Sequence, residues 1–486
     1  MNPVAGIFLA VNAIALFLLP RRLAALPLLL GTCYMTRAQG ADLGPISFTF
    51  VRLLLVVGLF RVAARGEWHI GRNRLDGILL AWGMWMLLSA VFHKDAGAAL
   101  ITRSGLVFDA WGVYFLFRAL CRSWGDVIGL YRLVAIVLIP ISIAMLVEKS
   151  AAHNVFSVVG GVPETPSIRA GKVRAQGPFS HSILAGTIGA TALPLMIGLW
   201  RVNRSASILG SCASITIVYA STSSGPILSA GAGIAGLLLW KLRYQMWVVR
   251  WGAVAAYAAA NVVMRDPPYY ILAHINLIGG STGWYRASLI DSALTDVQAW
   301  WLAGTDYTRH WSAMRVHWSA DHTDITNHFL KMAVFGGLPL LILFVMILWC
   351  AFSFVGRRVR EKADDSATAF LLWSAGASLF AHAVTCTSVS YFDQSVVFFY
   401  LGLATIGSAW NTLAPKQNTE STTVGAYQHS AGTVAPACRR RARFAVNPHA
   451  LQPSAKSLAT SIPPAAWRRR AARWRQPHKM SRRTVR

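Results

Sequence analysis

The chain alternates long apolar runs with short polar stretches, the pattern of a protein that crosses a membrane many times. A transmembrane helix needs about 20 mostly apolar residues, so we predict an all-α polytopic membrane protein with about 12–13 transmembrane helices. The two segments before residue 40 leave that count open. The predicted spans lie near residues 3–19, 23–39, 46–64, 76–93, 106–120, 127–147, 182–200, 205–221, 225–241, 247–263, 329–353, 366–388 and 393–412.

Basic residues fall in alternate connections between these segments. They are Arg21 and Arg22, Arg61 to Arg74, Arg118 and Arg122, Arg201 and Arg204, Lys241 to Arg250, and Arg357 to Lys362. Because short basic loops stay in the cytoplasm, we expect an external N-terminus and a cytoplasmic C-terminus. The two long loops, about 148–181 and 264–327, then face outside, which in a bacterial inner membrane is the periplasm.

Composition agrees with this architecture and divides the chain into two regions. Only 13% of the 486 residues are charged, against about 25% in soluble domains, which disfavours a soluble protein. Residues 1–412 form the predicted membrane domain. The tail, 413–486, carries fifteen Lys and Arg against one acid, and we expect it to be a disordered cytoplasmic segment. It either attracts anionic lipid headgroups or only sets orientation, and we expect no nucleic-acid partner.

The six cysteines lie at positions 33, 121, 212, 350, 386 and 438, and none forms a CxxC pair. This spacing suggests neither a metal site nor a disulfide framework. We interpret the cysteines as small apolar side chains of the spans. Separately from the cysteines, we expect no metal and no cofactor.

A polar run from Asp321 to His328 opens directly onto the apolar segment that begins at Phe329. Polar groups at the mouth of a span are costly and favour a functional role. If the helix extends back to Asp324, that carboxylate shares a face with His328, four residues on, and orients its imidazole. With an ordinary pKa of about 6.5, the imidazole can accept a proton at neutral pH. Thr326 or Asn327 is the expected helix cap.

The two long loops also hold the groups that suit a phosphorylated sugar. Arg169, Lys172 and Arg174 precede a Gly-Pro-Phe turn on the side where positive charge is disfavoured, and Arg286 lies in the second loop. A guanidinium fork matches phosphate oxygens, although pairing with nearby Asp residues is the open alternative. The second loop is also rich in Trp, which either stacks on sugar rings or forms an interfacial belt.

Three segments resemble the O-antigen ligase and O-antigen or exopolysaccharide polymerase superfamily of bacterial inner-membrane proteins. Arg174-Ala-Gln-Gly-Pro-Phe-Ser-His-Ser182 is similar to the family's Arg…Gly-Pro-Phe element, and Ala220-Ser-Thr-Ser-Ser-Gly225 to its Thr-x-Ser element. Arg286, followed by Asn327-His328-Phe329-Leu330 and Phe335-Gly-Gly337, is similar to the signature around the family's largest periplasmic loop. The likeness covers roughly residues 45–410.

The chain departs from the family pattern at two places. Ser224 stands where the family often has Arg, and the usual His-Asn order is reversed at Asn327-His328. These departures suggest a divergent, exopolysaccharide-type branch.

The resemblance implies a metal-independent glycosyltransferase that uses an undecaprenyl-pyrophosphate-linked glycan as donor. It implies that Arg174 and Arg286 bind the pyrophosphate, with Arg169, Lys172 and His181 as possible additional contacts. His328, oriented by Asp324, would accept the proton of the attacking hydroxyl. That hydroxyl belongs to lipid A-core in a ligase, or to a second lipid-linked repeat unit in a polymerase, and the sequence leaves these two open.

Two other functions compete with transfer. A flippase for lipid-linked oligosaccharides would need ionisable residues deep within spans, and Asp109, Glu148 and Asp393 are the candidates. These residues sit near span ends, and no inverted repeat is evident. A purely structural assembly factor would not need the loop's combination of His, Arg and Asp.

Overall fold

A computed structural model describes residues 1–44, 46–275, 283–311 and 320–413, and this part of the chain is mostly helical. Its helices are α1 Pro3–Leu18, α2 Ala25–Tyr34, α3 Phe50–Ala64, α4 Arg74–Leu88, α5 Ala96–Leu120, α6 Trp124–Ala151, α7 Ser182–Gly198, α8 Arg204–Ser221, α9 Ser224–Leu238, α10 Met246–Val263, α11 Ile271–His274, α12 Gly283–Thr295, α13 Val297–Trp300, α14 His328–Glu361, α15 Ser366–Cys386 and α16 Gln394–Thr412. The predicted tail 413–486, beyond Leu413, lies outside the described residues, as do Arg315, His317 and Trp318 of the second long loop.

Each of the thirteen predicted spans overlaps one of these helices, although the span predicted at 46–64 begins with a short strand, Ile46–Thr49, and α2 covers only ten residues of the span predicted at 23–39. Within the described residues, eight helices are long and apolar enough to cross a membrane: α4 to α7, α9, α10, α14 and α15. α1 and α2 are apolar but shorter. The chain is therefore a helical, multi-pass membrane protein, as the hydrophobic pattern predicts.

The largest boundary difference is at α5, which begins at Ala96 rather than near residue 106. Asp95 caps the helix by accepting the N–H of Ala98 at 2.9 Å. Arg103, in the polar second turn, is buried because its Nη1 donates to Ser89 Oγ at 2.9 Å. The early start of α5 could not be predicted from hydrophobicity, because the sequence does not show that Arg103 has a hydrogen-bond partner inside the protein.

Small residues let α7 lie at the centre of the helical bundle. A Cβ at Gly186 would meet Ser221 and Pro226, and one at Gly189 would meet the backbone of Ser214 at 2.7 Å. Thus α8 and α9 both approach α7 closely, as small residues permit between membrane helices. On another side, Ser378 of α15 donates to the carbonyl of Thr191 at 2.6 Å.

Two short antiparallel hairpins decorate the helices, β1 (Gly40–Leu43) with β2 (Ile46–Thr49) and β3 (Ser167–Arg169) with β4 (Lys172–Arg174). The second hairpin lies in the first long loop and turns through Ala170 and Gly171, at φ of 50° and 72°. Just after β4, the N–H of Ala175 donates to the carbonyl of Ala220 at 3.1 Å. The hairpin is thereby fixed to the end of α8.

A break within α14 is filled by the second long loop. Gly336 and Gly337 leave helical geometry, with φ of −152° and 69°. Backbone groups released at membrane depth need partners. The Val334 carbonyl accepts from Thr305 N at 3.0 Å, and Leu338 N donates to Trp301 O at 2.7 Å. The Gly336 carbonyl accepts from Trp85 Nε1 of α4 at 2.7 Å. The break is therefore held by the second long loop and by α4, and we call this arrangement the joint in α14.

Connections predicted to share a face contact one another. Arg21 and Asp126, both predicted cytoplasmic, form an ion pair at 3.0 Å. On the opposite face, His93 pairs with Asp306, and Lys94 N donates to the same carboxylate at 2.7 Å. The alternation of faces predicted from charge is consistent with these contacts.

The joint in α14 predicts a sharp cost for adding one methyl group at Gly337. A Cβ there would clash with the backbone of Leu302, and the φ of 69° and ψ of −166° lie in a region that costs a non-glycine residue roughly 1–3 kcal/mol. We expect Gly337→Ala to lower the melting temperature of the detergent-solubilised protein by several degrees. The matched control is Gly356→Ala in the same helix, where a Cβ meets nothing within 4 Å. Equal melting temperatures for the two variants would contradict the joint.

Candidate functional site

Three arginines from the two long loops form a group in which Arg169 lies within electrostatic range of both Arg174 and Arg286. Arg169 ends β3, Arg174 ends β4 and Arg286 lies in the first turn of α12; we call them the arginine cluster. Burial, and then the charge of Arg169, lower the pKa of both Arg174 and Arg286. A lowered pKa means that the surroundings disfavour the cation, and a bound anion would reverse that effect.

Part of the hydrogen-bonding capacity of the arginine cluster is unused. Arg174 Nη2 donates to Ser223 Oγ at 2.8 Å. Among the described residues, the buried Nε atoms of Arg174 and Arg286 have no hydrogen-bond partner. An unpaired buried donor costs about 1–3 kcal/mol, and pyrophosphate oxygens are the acceptors that match a guanidinium fork. The cluster therefore has the charge and the free donors of an anion site.

Ser223 reaches Arg174 because the turn between α8 and α9 is strained. Thr222 has a φ of 44°, which is unusual for a β-branched residue. Its hydroxyl donates to the Val173 carbonyl at 3.0 Å, and Lys149 Nζ donates to that carbonyl at 3.1 Å. The polar ends of α6, α8 and β4 thus meet beside Arg174, and such strain is common where a structure fixes a functional group.

The predicted Gly177-Pro178 turn is confirmed and is fixed by buried acceptors and donors. The carboxylate of Glu148 accepts the N–H groups of Gln176 and Gly177 at 3.0 and 2.7 Å. Asn154 Nδ2 donates to the Gly177 carbonyl at 2.8 Å. These bonds hold the segment that leads from Arg174 to α7.

His181 and Lys172, the additional candidates, lie on either side of Arg174. His181 caps α7, its Nδ1 accepting the N–H of Ile183 at 3.1 Å. Desolvation, with the charges of Arg174 and Arg169, lowers the pKa of His181 to about 4, so it is neutral at pH 7. Lys172 is exposed and pairs in register with Arg169. His181 can therefore donate a hydrogen bond beside the cluster but adds no charge to it.

The structure separates Asp324 from the role predicted for it. α14 begins at His328 and does not extend back to Asp324, so the two residues share no helical face. Asn327 is the cap, accepting from Phe329 N at 2.9 Å and Leu330 N at 3.2 Å, and Thr326 is not. The spacing of four residues does not place Asp324 beside His328, because the helix begins only after the cap at Asn327.

Asp324 instead lies within electrostatic range of one member of the arginine cluster, Arg286. Its half-buried carboxylate interacts electrostatically with Lys331 and Arg286. Burial outweighs both cations and raises the pKa of Asp324 above its ordinary value. A carboxylate with a raised pKa accepts a proton more readily than an exposed one.

His328 is buried and already engaged. Its Nδ1 lies 3.1 Å from the backbone N of Tyr391, which can only donate. Nδ1 is therefore the acceptor, and the proton of the neutral ring is on Nε2. The ring packs against Phe344 and Tyr391, with centroids 5.2 and 5.4 Å away. In this tautomer His328 can donate a hydrogen bond from Nε2 and holds the backbone of Tyr391 through Nδ1. It has no free lone pair with which to accept a proton.

Sequence reasoning missed a second layer of residues around Tyr391. Its hydroxyl lies 2.7 Å from Nδ1 of the buried His382, and its carbonyl accepts from Lys331 Nζ at 3.3 Å. Arg37 lies over the ring of Phe392 and acts on Lys331 electrostatically. The available signal was an ionisable residue inside a predicted span, which holds for both Lys331 and His382.

The tryptophans of the second loop divide into two groups. Trp300 and Trp311 are buried, and their Nε1 atoms donate to Ala293 O at 2.7 Å and to Asp296 Oδ2 at 3.0 Å. They pack the loop against α14. Trp284 and Trp301 are each 52% exposed, and Trp284 lies two residues before Arg286. Among the described tryptophans of this loop, only the exposed pair is free to stack on a sugar.

The positioning role of His328 predicts how substitutions behave. An Asn side chain places its amide oxygen near the position of Nδ1 and can still accept from Tyr391 N, whereas Gln and Ala cannot do so at the same place. We expect His328→Asn to keep most of the thermal stability of the solubilised protein, and His328→Ala to lose several degrees through the unpaired amide and the cavity. Equal melting temperatures for the Asn and Ala variants would show that the hydrogen bond between residue 328 and Tyr391 N does not stabilise this region.

The sequence was also compared with known proteins. No protein-family profile and no curated protein matches this chain.

Proposed function

We propose that this chain transfers or polymerises undecaprenyl-pyrophosphate-linked glycans at the periplasmic face of a bacterial inner membrane, as O-antigen ligases and polymerases do. The observation that carries the proposal is the arginine cluster, with its two unpaired buried Nε atoms. The ordered resemblance of three sequence segments to that superfamily supports it, and two of them, at Arg174 and Ser223, are joined by a hydrogen bond.

In this proposal the donor's pyrophosphate binds between Arg174 and Arg286, with Arg169 close by. The polyprenyl tail lies in the bilayer and the sugar extends into the external loops. As the bond between the anomeric carbon and the pyrophosphate oxygen breaks, negative charge grows on the leaving group. Desolvated guanidinium groups stabilise that charge more than exposed ones do.

We assign proton acceptance to Asp324 and positioning to His328. The acceptor's hydroxyl attacks the anomeric carbon, its proton passes to the Asp324 carboxylate, and polyprenyl pyrophosphate leaves with inversion at that carbon. Asp324 suits this role because its carboxylate is half-buried beside Arg286 and has a raised pKa. His328 holds the Tyr391 backbone and, through it, the segment next to Lys331. The acceptor is lipid A-core or a second lipid-linked repeat unit.

The flippase alternative is less well supported. The three carboxylates that could line a transport path have other partners. Asp109 forms two hydrogen bonds with Arg52, at 2.8 and 2.7 Å. Glu148 accepts two backbone N–H groups, and Asp393 accepts from Ser180 N at 3.3 Å. These bonds give each of the three carboxylates a structural role, so a transport path is not needed to account for them.

The test is transfer by the purified full-length protein in liposomes, followed as release of polyprenyl pyrophosphate from a lipid-linked glycan. We expect Arg174→Lys and Arg286→Lys to lower the rate at least about tenfold, because Lys keeps the charge but loses the planar fork. Asp324→Asn should abolish transfer without preventing donor binding. Arg265→Lys is the matched control, an exposed arginine of the same loop, and should leave the rate unchanged.

Two outcomes would reject the proposal. One is wild-type rates from both Arg→Lys variants. The other is movement of the intact donor across the bilayer with no release of pyrophosphate, which is the flippase result. If transfer occurs, the product separates the two acceptors: unligated full-length polymer in a deletion strain indicates a ligase, and single repeat units indicate a polymerase.

A further inference from the structure

A cleft lies between α3, α4 and α5, near the ends of these helices that we predict to be cytoplasmic. Its volume is about 660 Å³, within the range of about 300–1,000 Å³ that is common for small-molecule sites. Aromatic and aliphatic side chains supply most of its lining, among them Leu59, Trp68, Leu80, Phe108, Trp111 and Phe115. None of these residues belongs to the candidate transfer site.

The cleft opens onto the outer surface of the helical bundle. Leu80 and Trp68 line it and are 41% and 48% exposed. Leu80 lies on α4, a helix long and apolar enough to cross a membrane, so the opening beside it faces lipid rather than water. The molecule with direct access to it is therefore a constituent of the bilayer.

The one carboxylate in the cleft is already neutralised. Asp76 accepts from Tyr114 OH at 2.7 Å, from Arg118 Nη1 at 2.6 Å and from Asn73 N at 2.9 Å. Since both carboxylate oxygens are occupied, Asp76 neither offers a cation site nor repels an anion strongly. The interior of the cleft is thus close to electrically neutral.

The rim of the cleft, in contrast, carries unpaired positive charge. Arg72 lines the cleft and is exposed, and in the described part of the chain it forms no ion pair and donates no hydrogen bond. Arg61 in the same region is paired with Glu67 at 3.2 Å. An apolar interior with a free guanidinium at its edge matches an amphiphile whose headgroup is anionic.

We propose that this cleft binds one anionic phospholipid, with an acyl chain against the aromatic lining and the headgroup phosphate at Arg72. The site is independent of glycan transfer and of the arginine cluster. Trp68 at the edge suits the headgroup region, where indole rings of membrane proteins commonly lie.

Gly77 allows the cleft to be filled without disturbing the fold. It lines the cleft within α4, and a Cβ there meets nothing within 4 Å. Gly77→Leu therefore projects a side chain into the space for the acyl chain. Gly129→Leu, in α6 and equally free of neighbours within 4 Å, is the matched control. Arg72→Gln removes the charge and keeps the chain length similar.

The experiment reconstitutes full-length protein in nanodiscs of equal parts phosphatidylglycerol and phosphatidylcholine, extracts it gently and counts retained lipids by native mass spectrometry. We expect the wild type and Gly129→Leu to retain one phosphatidylglycerol in preference to phosphatidylcholine. Arg72→Gln should reduce that preference about fivefold, the effect of one basic residue near a membrane surface. Gly77→Leu should lose the retained lipid. The basic tail is identical in all variants, so differences among them report the cleft.

Retention of the two lipids in equal amounts by the wild type would overturn the proposal, as would the same retention by Gly77→Leu and the wild type. Unchanged preference in Arg72→Gln would overturn the assignment of the headgroup. A variant that loses the lipid but keeps normal glycan transfer would show that the two sites are separate, and so would a variant that loses transfer but keeps the lipid. The two proposals can therefore fail independently of each other.

Discussion

Backbone groups that leave a helix in apolar surroundings must find partners inside the protein, and this constraint shapes the region around the candidate site. The break in α14 at Gly336 and Gly337 is filled by residues 301–305 of the second long loop. At the Gly177-Pro178 turn, the backbone N–H groups of Gln176 and Gly177 donate to the carboxylate of Glu148. Each of these bonds ties a long loop to a span. Together with the bond from Ala175 N to the Ala220 carbonyl, they hold the loops that carry Arg174 and Arg286.

Against this background, the unsatisfied donors of the arginine cluster stand out. The same region that pairs its backbone groups leaves two buried guanidinium Nε atoms without an acceptor, beside a third arginine that lowers the pKa of both guanidinium groups. Several other buried arginines have carboxylate partners, although Arg358, which pairs with Glu361, also leaves its Nε unpaired. Arg118 donates to Asp76 and to the Gly71 carbonyl, and Arg52 forms two bonds with Asp109. The arginine cluster differs because two desolvated guanidinium groups lie beside a third arginine, and this is the physical basis for assigning an external anion to the cluster.

Much of the fold could be predicted because hydrophobic runs report helices directly. All thirteen predicted spans overlap helices, and within the described residues eight helices are long and apolar enough to cross a membrane. The early start of α5 could not be predicted, since Arg103 is tolerated there only through its partner Ser89. Arg174 and Arg286 could be singled out because positive charge is unusual on the face predicted to be external. The arrangement around His328 could not, because its partner Tyr391 is 63 residues away along the chain. The pairing of His328 with Asp324 failed for a local reason, the cap at Asn327.

Binding of a lipid-linked pyrophosphate by the arginine cluster can be measured as equilibrium binding of undecaprenyl pyrophosphate and undecaprenyl monophosphate to the full-length protein in nanodiscs. We expect the pyrophosphate to bind more tightly, and this difference to be lost when Arg174 and Arg286 are both replaced by Gln. Equal affinities for the two lipids in the wild type, or an unchanged difference in the double variant, would contradict this expectation.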